Sequence, residues 1–313
     1  MNSFIDNIYV INMDKDTDRL NNIYKECNKN NIKFERFTGI DASKLSIKEK
    51  NKYVTQFCQN FCTNSMIGCG ISHIKIYEDV IKNNYNNVLI LEDDVNFINN
   101  FNKILNKVLE ELPKNYDILY IGSIGLANKQ ICYDFNLLFK LISNKHEKQN
   151  TNYKNIFSPI FPIGAYGYII SNKGCKKLLK NFNKVNYHID FQINLNNKKL
   201  NIYASNIKLV FPNTNWKDSN NADILSFPKY PNILLNKFYD CNNVPYSWIF
   251  NLSLIKLFNI AIKLWHILFF IFGIINYKYL NIIIFLYFII DFDIKSFIIF
   301  LFAKKLNTLY FKK

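Results

Sequence analysis

Three consecutive acids, Glu92, Asp93 and Asp94, follow directly on the apolar run NVLIL of residues 87–91. Like charges placed so closely repel one another unless something positive sits among them. Clustered carboxylates are hard oxygen ligands suited to Mg2+ or Mn2+. An ion held that way can bridge a diphosphate and neutralise it as it leaves. Taken alone, the triplet reads equally as an exposed acidic turn. A second chemistry-bearing group is Cys58, Cys62, Cys69 and His73. Its x3, x6 and x3 spacings fit no standard zinc finger, and small buried thiols are common, so a zinc site is not expected there.

The acids need a scaffold that brings them to a ligand. The first two hundred residues alternate short apolar runs with helical stretches, the signature of α/β layering. IYVI (8–11), KFERF (33–37), NVLIL (87–91), DILYI (117–121) and AYGYII (165–170) read as strands. NVLIL is apolar throughout, as in strands buried on both faces of a parallel sheet. Helices are expected from the Asp16-Thr17-Asp18 cap to about Asn30 and along the face marked by Ile71, Ile74, Tyr77 and Ile81. Two more are expected over 101–112, ending at Pro113, and from Ser171 through about Phe182. Segment 123–160 reads as an irregular loop. In open α/β sheets ligands bind beyond the carboxyl ends of the strands, where Glu92 to Asp94 then lie.

The chain has 313 residues and a net charge of +15. The charge invites a nucleic-acid reading, but only Arg19 and Arg36 of the 39 basic residues are arginines. Nucleic-acid readers lean on arginine for bidentate contacts, so no nucleic-acid partner is expected. Seven cysteines and an opening without a signal-peptide pattern lead to the expectation of reduced thiols on the cytosolic side.

Four blocks resemble glycosyltransferase family 25, the lipopolysaccharide glycosyltransferases and procollagen galactosyltransferases. They are IYVINMDKDTDRLNNI (8–23), FERFTGID (34–41), IGCGISHIKIYEDVIKNNYNNVLILEDDVNF (67–97) and IGAYGYIISNKGCKKLL (163–179), the last followed by HIDFQI (188–193). The third block, with its Gly-Cys, Ser-His, helix, strand and Glu-Asp-Asp in order, is the most specific. The resemblance implies a GT-A-like nucleotide-sugar-binding domain with a mostly parallel central sheet. It also implies an inverting transfer of a hexose, galactose foremost, from a UDP-sugar with Mn2+ or Mg2+. The acceptor is a hydroxyl on a glycan, glycolipid or protein.

Carried over by position, Asn12, Asp14 and Arg19 lie where the family's first strand meets the nucleotide. Glu92 and Asp94 take the donor and metal roles; from an extended chain the outer acids point the same way, which leaves Asp93 structural. Ser72 and His73 stand at the family's Ser-His, and Gly39, Gly164 and Ala165 suit close backbone approach to a ligand. Asp190 matches the acid after the fourth block and is the candidate base, with His188 two residues away. Phe191 departs from the paired acids commoner there, which leaves the identity of the base open. Asp218, in the loosely matching NTNWKDSN (213–220), is a further candidate metal ligand. A homologue that has lost catalysis and acts as a membrane-associated scaffold is the alternative; the intact triplet and Ser-His argue against it.

Composition changes after about Tyr246, so the expected division is a glycosyltransferase domain over 1–246 and a hydrophobic helical tail over 247–313. Polar positions from Lys256 to His266 recur at three- and four-residue steps, which predicts a helix with one narrow polar stripe. The apolar runs 264–275 and 279–290 each fall short of the ~20 residues of a spanning helix. Segment 282–290 has no solvent face, which favours contact with a membrane surface and a membrane-associated protein.

Overall fold

The computed structural model describes residues 3–124, 153–159, 161–212, 233–234, 237, 250–257, 260–275, 277–291 and 294–311. Asp218 and the segment NTNWKDSN lie outside the described residues, as does most of the loop expected over 123–160. The chain divides into two compact units, residues 1–60 with 64–214, and residues 61–63 with 215–313.

The first unit is built on a seven-stranded sheet in the order β2-β1-β3-β7-β5-β8-β6. The strands are β1 (Asn7–Asn12), β2 (Glu35–Thr38), β3 (Asn87–Glu92), β5 (Ile118–Ile124), β6 (Ile156–Phe157), β7 (Ile163–Ser171) and β8 (Ile202–Ser205). A separate pair joins β4 (Val95–Phe97) to β9 (Val210–Pro212). Strands β2, β1, β3, β5 and β8 run one way; β7 and β6 run the other. The sheet is therefore mostly parallel in direction, with one reversed strand at its centre. Helices α1 (Thr17–Lys29), α2 (Ile47–Tyr53), α3 (Gln56–Phe61), α4 (Asn64–Lys82), α5 (Phe101–Glu110), α6 (Asn172–Asn181) and α7 (Ile189–Leu195) complete the unit.

NVLIL is buried on both faces: Val88, Leu89, Ile90 and Leu91 are all fully buried. Val88 and Ile90 pack with Ile76, Tyr77 and Val80 of α4 and Leu178 of α6 in one core cluster. That burial explains a run with no polar alternation. Ser171 caps α6 as its position predicts, its hydroxyl accepting from Gly174 N at 3.0 Å. Asp16 occupies the cap position of α1 but makes no side-chain capping bond.

Two expectations are corrected here. Cys58 and Cys62 are disulfide-bonded, so the thiols are not all reduced and these two are not ligands of a zinc quartet with Cys69 and His73. Thiol state accordingly lends no support to a cytosolic side. In the second unit, the stretch before Leu264 that the stripe from Lys256 to His266 predicts to be helical is instead a hairpin of β10 (Ser253–Leu257) and β11 (Ile260–Lys263), with Lys256 paired to Ala261 and Leu257 to Ile260. The β-branched Ile255, Ile260 and Ile262 favour pairing; the three- and four-residue spacing of Lys256, Asn259, Lys263 and His266 matches a helical stripe only by coincidence.

Helices α8 (Leu264–Ile275), α9 (Lys278–Asp291) and α10 (Ile294–Leu306) follow. Phe269, Ile284, Phe288 and Phe300 form their common core. Among the described residues no helix is long and apolar enough to cross a membrane.

Candidate active site

Parallel pairing sets the carboxyl ends of β1, β2 and β3 side by side, through Ile11 opposite Glu92 and Asn12 opposite Thr38. The reversed strand β7 pairs Gly167 with Leu91 and Ile163 with Ile124, so its beginning stands at the same edge. The acidic triplet and the fourth sequence block, about seventy residues apart in the chain, are thereby neighbours.

Asp93 is the buried member of the triplet, and its partners are fixed. Asn12 Nδ2 donates to its Oδ2 at 2.6 Å and Arg19 Nη1 to its Oδ1 at 2.9 Å. Asn12 also donates to Asp16 O at 3.0 Å and accepts from Arg36 Nε at 2.9 Å. Arg36 pairs in turn with Asp14 at 2.6 Å, whose side chain is otherwise exposed. Asn12 and Asp93 thus act as the clamp between strand ends, although Asp93 and Asp94 form a turn after β3 rather than continuing it as an extended chain. Arg36 was not singled out from sequence, although it is one of only two arginines and lies in a strand beside Asn12.

Arg19 Nη1 also reaches Asp94 Oδ2, at 3.6 Å, but Asp94 Oδ1 is buried and has no hydrogen-bond partner. Burial raises the Asp94 carboxyl above its ordinary range, against the pull of Arg19, and Asp93 adds to the rise. Burial, then Asp94 and Asp93, push Glu92 up to about 8. Burial alone lowers the Arg19 guanidinium, yet Asp94 and Asp93 outweigh it and hold it firmly charged. One guanidinium therefore faces three carboxylates, and the deficit of positive charge falls on Glu92 and Asp94.

Asp190 belongs to the first turn of α7, whose cap position is His188. Its Oδ2 accepts from Gly164 N at 2.9 Å and its Oδ1 from Phe191 N at 2.9 Å. Gly164 holds φ at 87°, a conformation that L side chains rarely adopt, at the point where its N–H meets Asp190. The Asp190 carboxylate is close enough to raise Glu92 further. His188 is buried against the rings of Tyr187 and Phe191, and Ala165 is buried in β7.

Ser72 and His73 face inward from α4. The Ser72 hydroxyl donates to Gly68 O at 2.8 Å and accepts from Ile40 N at 3.0 Å. It ties the loop after β2 to the helix, where a Cβ on Gly68 would stand 2.2 Å from Ile40 O. Gly39 N donates to Asn12 O at 2.9 Å in the same loop. Ser72 and Gly39 therefore both hold this loop in place. His73 is fully buried, and burial lowers its imidazole to about 3. Its Nδ1 shares a 2.7 Å hydrogen bond with the Tyr168 hydroxyl, which meets Tyr77 at 2.7 Å; Nε2 has no partner.

Comparison with known proteins adds four matches. A model of "Glycosyltransferase family 25 (LPS biosynthesis protein)" matches residues 5–193. A glycosyltransferase 25 family member of Aedes aegypti is 25% identical over 186 residues, covering 56% of this chain and 28% of that protein. Procollagen galactosyltransferase 2 of Mus musculus is 23% identical over 185 residues, covering 56% of this chain and 27% of that protein. The chain thus spans less than a third of the length of these curated relatives. Among solved structures, galactosyltransferase LgtC with donor and acceptor sugar analogs is similar at a TM-score of 0.35 and 12% identity, covering 63% of this chain and 72% of that one.

Proposed function

The chain belongs to glycosyltransferase family 25, and we propose that it moves a hexose, galactose foremost, from a UDP-sugar to an acceptor hydroxyl with inversion. The reading of the acceptor extends to a glycan, glycolipid or protein. The observation that carries the proposal is the buried, unpartnered Asp94 Oδ1 beside a Glu92 whose carboxyl is pushed up to about 8 by burial and by its neighbours. A pair of hard oxygen donors short of positive charge fits Mn2+ or Mg2+. Glu92 and Asp94 would hold that ion, which supplies neutralising charge for a departing diphosphate.

The protein's own residues divide the remaining work. Asp93, locked by Asn12 and Arg19, keeps the strand end and its two neighbours in place. Arg19 contributes the fixed positive charge at the nucleotide end. Asp190 takes the proton of the acceptor hydroxyl on a carboxylate oxygen as the new bond forms on the face opposite the leaving UDP. Gly164 N–H and Phe191 N–H fix that carboxylate without supplying a proton. Direct displacement on the face opposite the leaving group is what inverts the anomeric centre.

The test is hydrolysis of nucleotide sugars by purified full-length protein. UDP-galactose turnover that requires Mn2+ is expected; no sugar nucleotide hydrolysed or bound, with or without Mn2+, would refute the reading.

The tail is proposed to rest on a membrane surface. Ile271, Ile275, Ile282, Ile283, Phe285 and Leu286 are about half-exposed apolar side chains on α8 and α9. Full-length protein should float with anionic liposomes in a density gradient, and residues 1–214 alone should not. Equal sedimentation of both would count against a membrane role.

A further inference from the structure

Cys69 and His73 are one helical turn apart on α4 and project from the same face. Across from them is Glu92, at the end of β3. One ring nitrogen of His73, the Cys69 sulfur and a Glu92 carboxylate oxygen lie within 4.8 Å of one another. Ligand atoms around a tetrahedral zinc stand roughly 3.5 Å apart, given bonds of about 2.0 to 2.3 Å, so the donor atoms need approach one another by at most about 1.3 Å.

We propose that Cys69, His73 and Glu92 form a three-ligand site for a thiophilic divalent ion, Zn2+ in the first instance. The independent observation is the histidine. It is fully buried, its Nδ1 is taken up by Tyr168, and its Nε2 has no partner. A buried polar atom left unpaired is costly, and structures rarely tolerate one without a use. In the tautomer in which Nδ1–H donates to the Tyr168 oxygen, the Nε2 lone pair is free for a metal, the outer-shell arrangement typical of ligating histidines. The Tyr77 hydroxyl fixes Tyr168 in turn.

The donor set selects the ion. A sulfur, an imidazole and one carboxylate suit zinc or cobalt far better than Mn2+ or Mg2+. Cys69 is a free thiol and is not fully buried, so an ion has access; its thiol proton passes to solvent on binding. Three protein ligands leave a fourth position open, as in sites that bind an exchangeable oxygen. Glu92 is common to this set and to the hard-ion pair, so a soft ion here withdraws a ligand from that pair. The proposal does not rest on sugar transfer: Glu92 alone is shared with that reading, and Cys69 and His73 have no part in its mechanism.

Co2+ titrated into metal-free full-length protein under argon, without reductant, tests it. A near-ultraviolet thiolate-to-cobalt charge-transfer band should saturate at one equivalent and disappear in Cys69→Ser. Tyr168→Phe keeps all three ligands but removes the outer-shell bond, and should weaken Co2+ and Zn2+ about 10- to 100-fold. No band in the unaltered protein, or a full band in Cys69→Ser, overturns the assignment. Should Cys69→Ser fail to fold, Tyr168→Phe decides, and unchanged affinity there overturns it as well. Loss of nucleotide-sugar hydrolysis with the cobalt band intact would sink the sugar-transfer reading alone.

Discussion

Asp94→Asn abolishes Mn2+-dependent turnover of the nucleotide sugar while the protein remains folded. The amide matches the carboxylate in shape but removes the charge a hard cation requires. Losing one of two carboxylate donors should lower turnover on the order of 10³-fold, the scale on which removing one charge-stabilising group acts in a dry site. The fold should not suffer. Asp94 Oδ1 has no hydrogen bond to lose, and Arg19 keeps its closer bond to Asp93. Burial raises the Asp94 carboxyl, which means that the charged form is held at a cost in the folded state. Asparagine avoids that cost, so the melting temperature should hold or rise in metal-free protein. Paired measurements of UDP-sugar hydrolysis and thermal unfolding check both halves. Activity retained at the unaltered rate would remove Asp94 from the mechanism.

Arg19→Gln should be the most destabilising single change at the site, and its effect should depend on pH. Arg19 bonds Asp93 and reaches Asp94, with its side chain 18% exposed and that of Asp93 7% exposed. Removing one partner of a mostly buried ion pair costs about 3 kcal/mol. For a unit of this size that is roughly 6–12 °C in melting temperature. The sign of the pH effect follows from the carboxyls. Glu92, Asp93 and Asp94 all titrate above their ordinary values, Glu92 from 4.5 up to about 8. Between those limits the folded state binds more protons than the unfolded state, so stability falls as pH rises. Lowering the pH through the folded-state range restores neutral carboxyls and with them stability. Without Arg19 the carboxyls rise further, so the deficit should be larger at pH 8 than at pH 5. Added Mn2+ should raise the melting temperature of the unaltered protein at pH 8, since it binds the folded state selectively. Thermal melts of metal-free protein at both pH values provide the check; an equal deficit at pH 5 and pH 8 would contradict the electrostatic account.

The local elements were readable because they rest on neighbouring residues. IYVI, NVLIL and the Ser171 cap are each specified within a few positions, and the structure has a strand or a capped helix at each. The hairpin over 253–263 was misread for a related reason. Polar residues at three- and four-residue steps from Lys256 to His266 satisfy a helical stripe, and only strand pairing distinguishes that from two short strands. Arg36 was passed over because its partners Asn12 and Asp14 lie in another strand, and no spacing within its own segment points to them.

By itself the sequence determined that a buried strand runs into three acids and that Cys69 and His73 share a helix face. These are consequences of backbone periods of 2 and 3.6 residues, which act over one or two turns. Only the tertiary structure decided that β7 runs backwards between β3 and β5 and brings Gly164 and Asp190 beside Glu92. It also decided that Arg19 guards Asp93 more closely than Asp94, and that Tyr168 claims one nitrogen of His73. Strand order and buried partnerships arise from packing between segments far apart in the chain, which no local pattern of residues encodes.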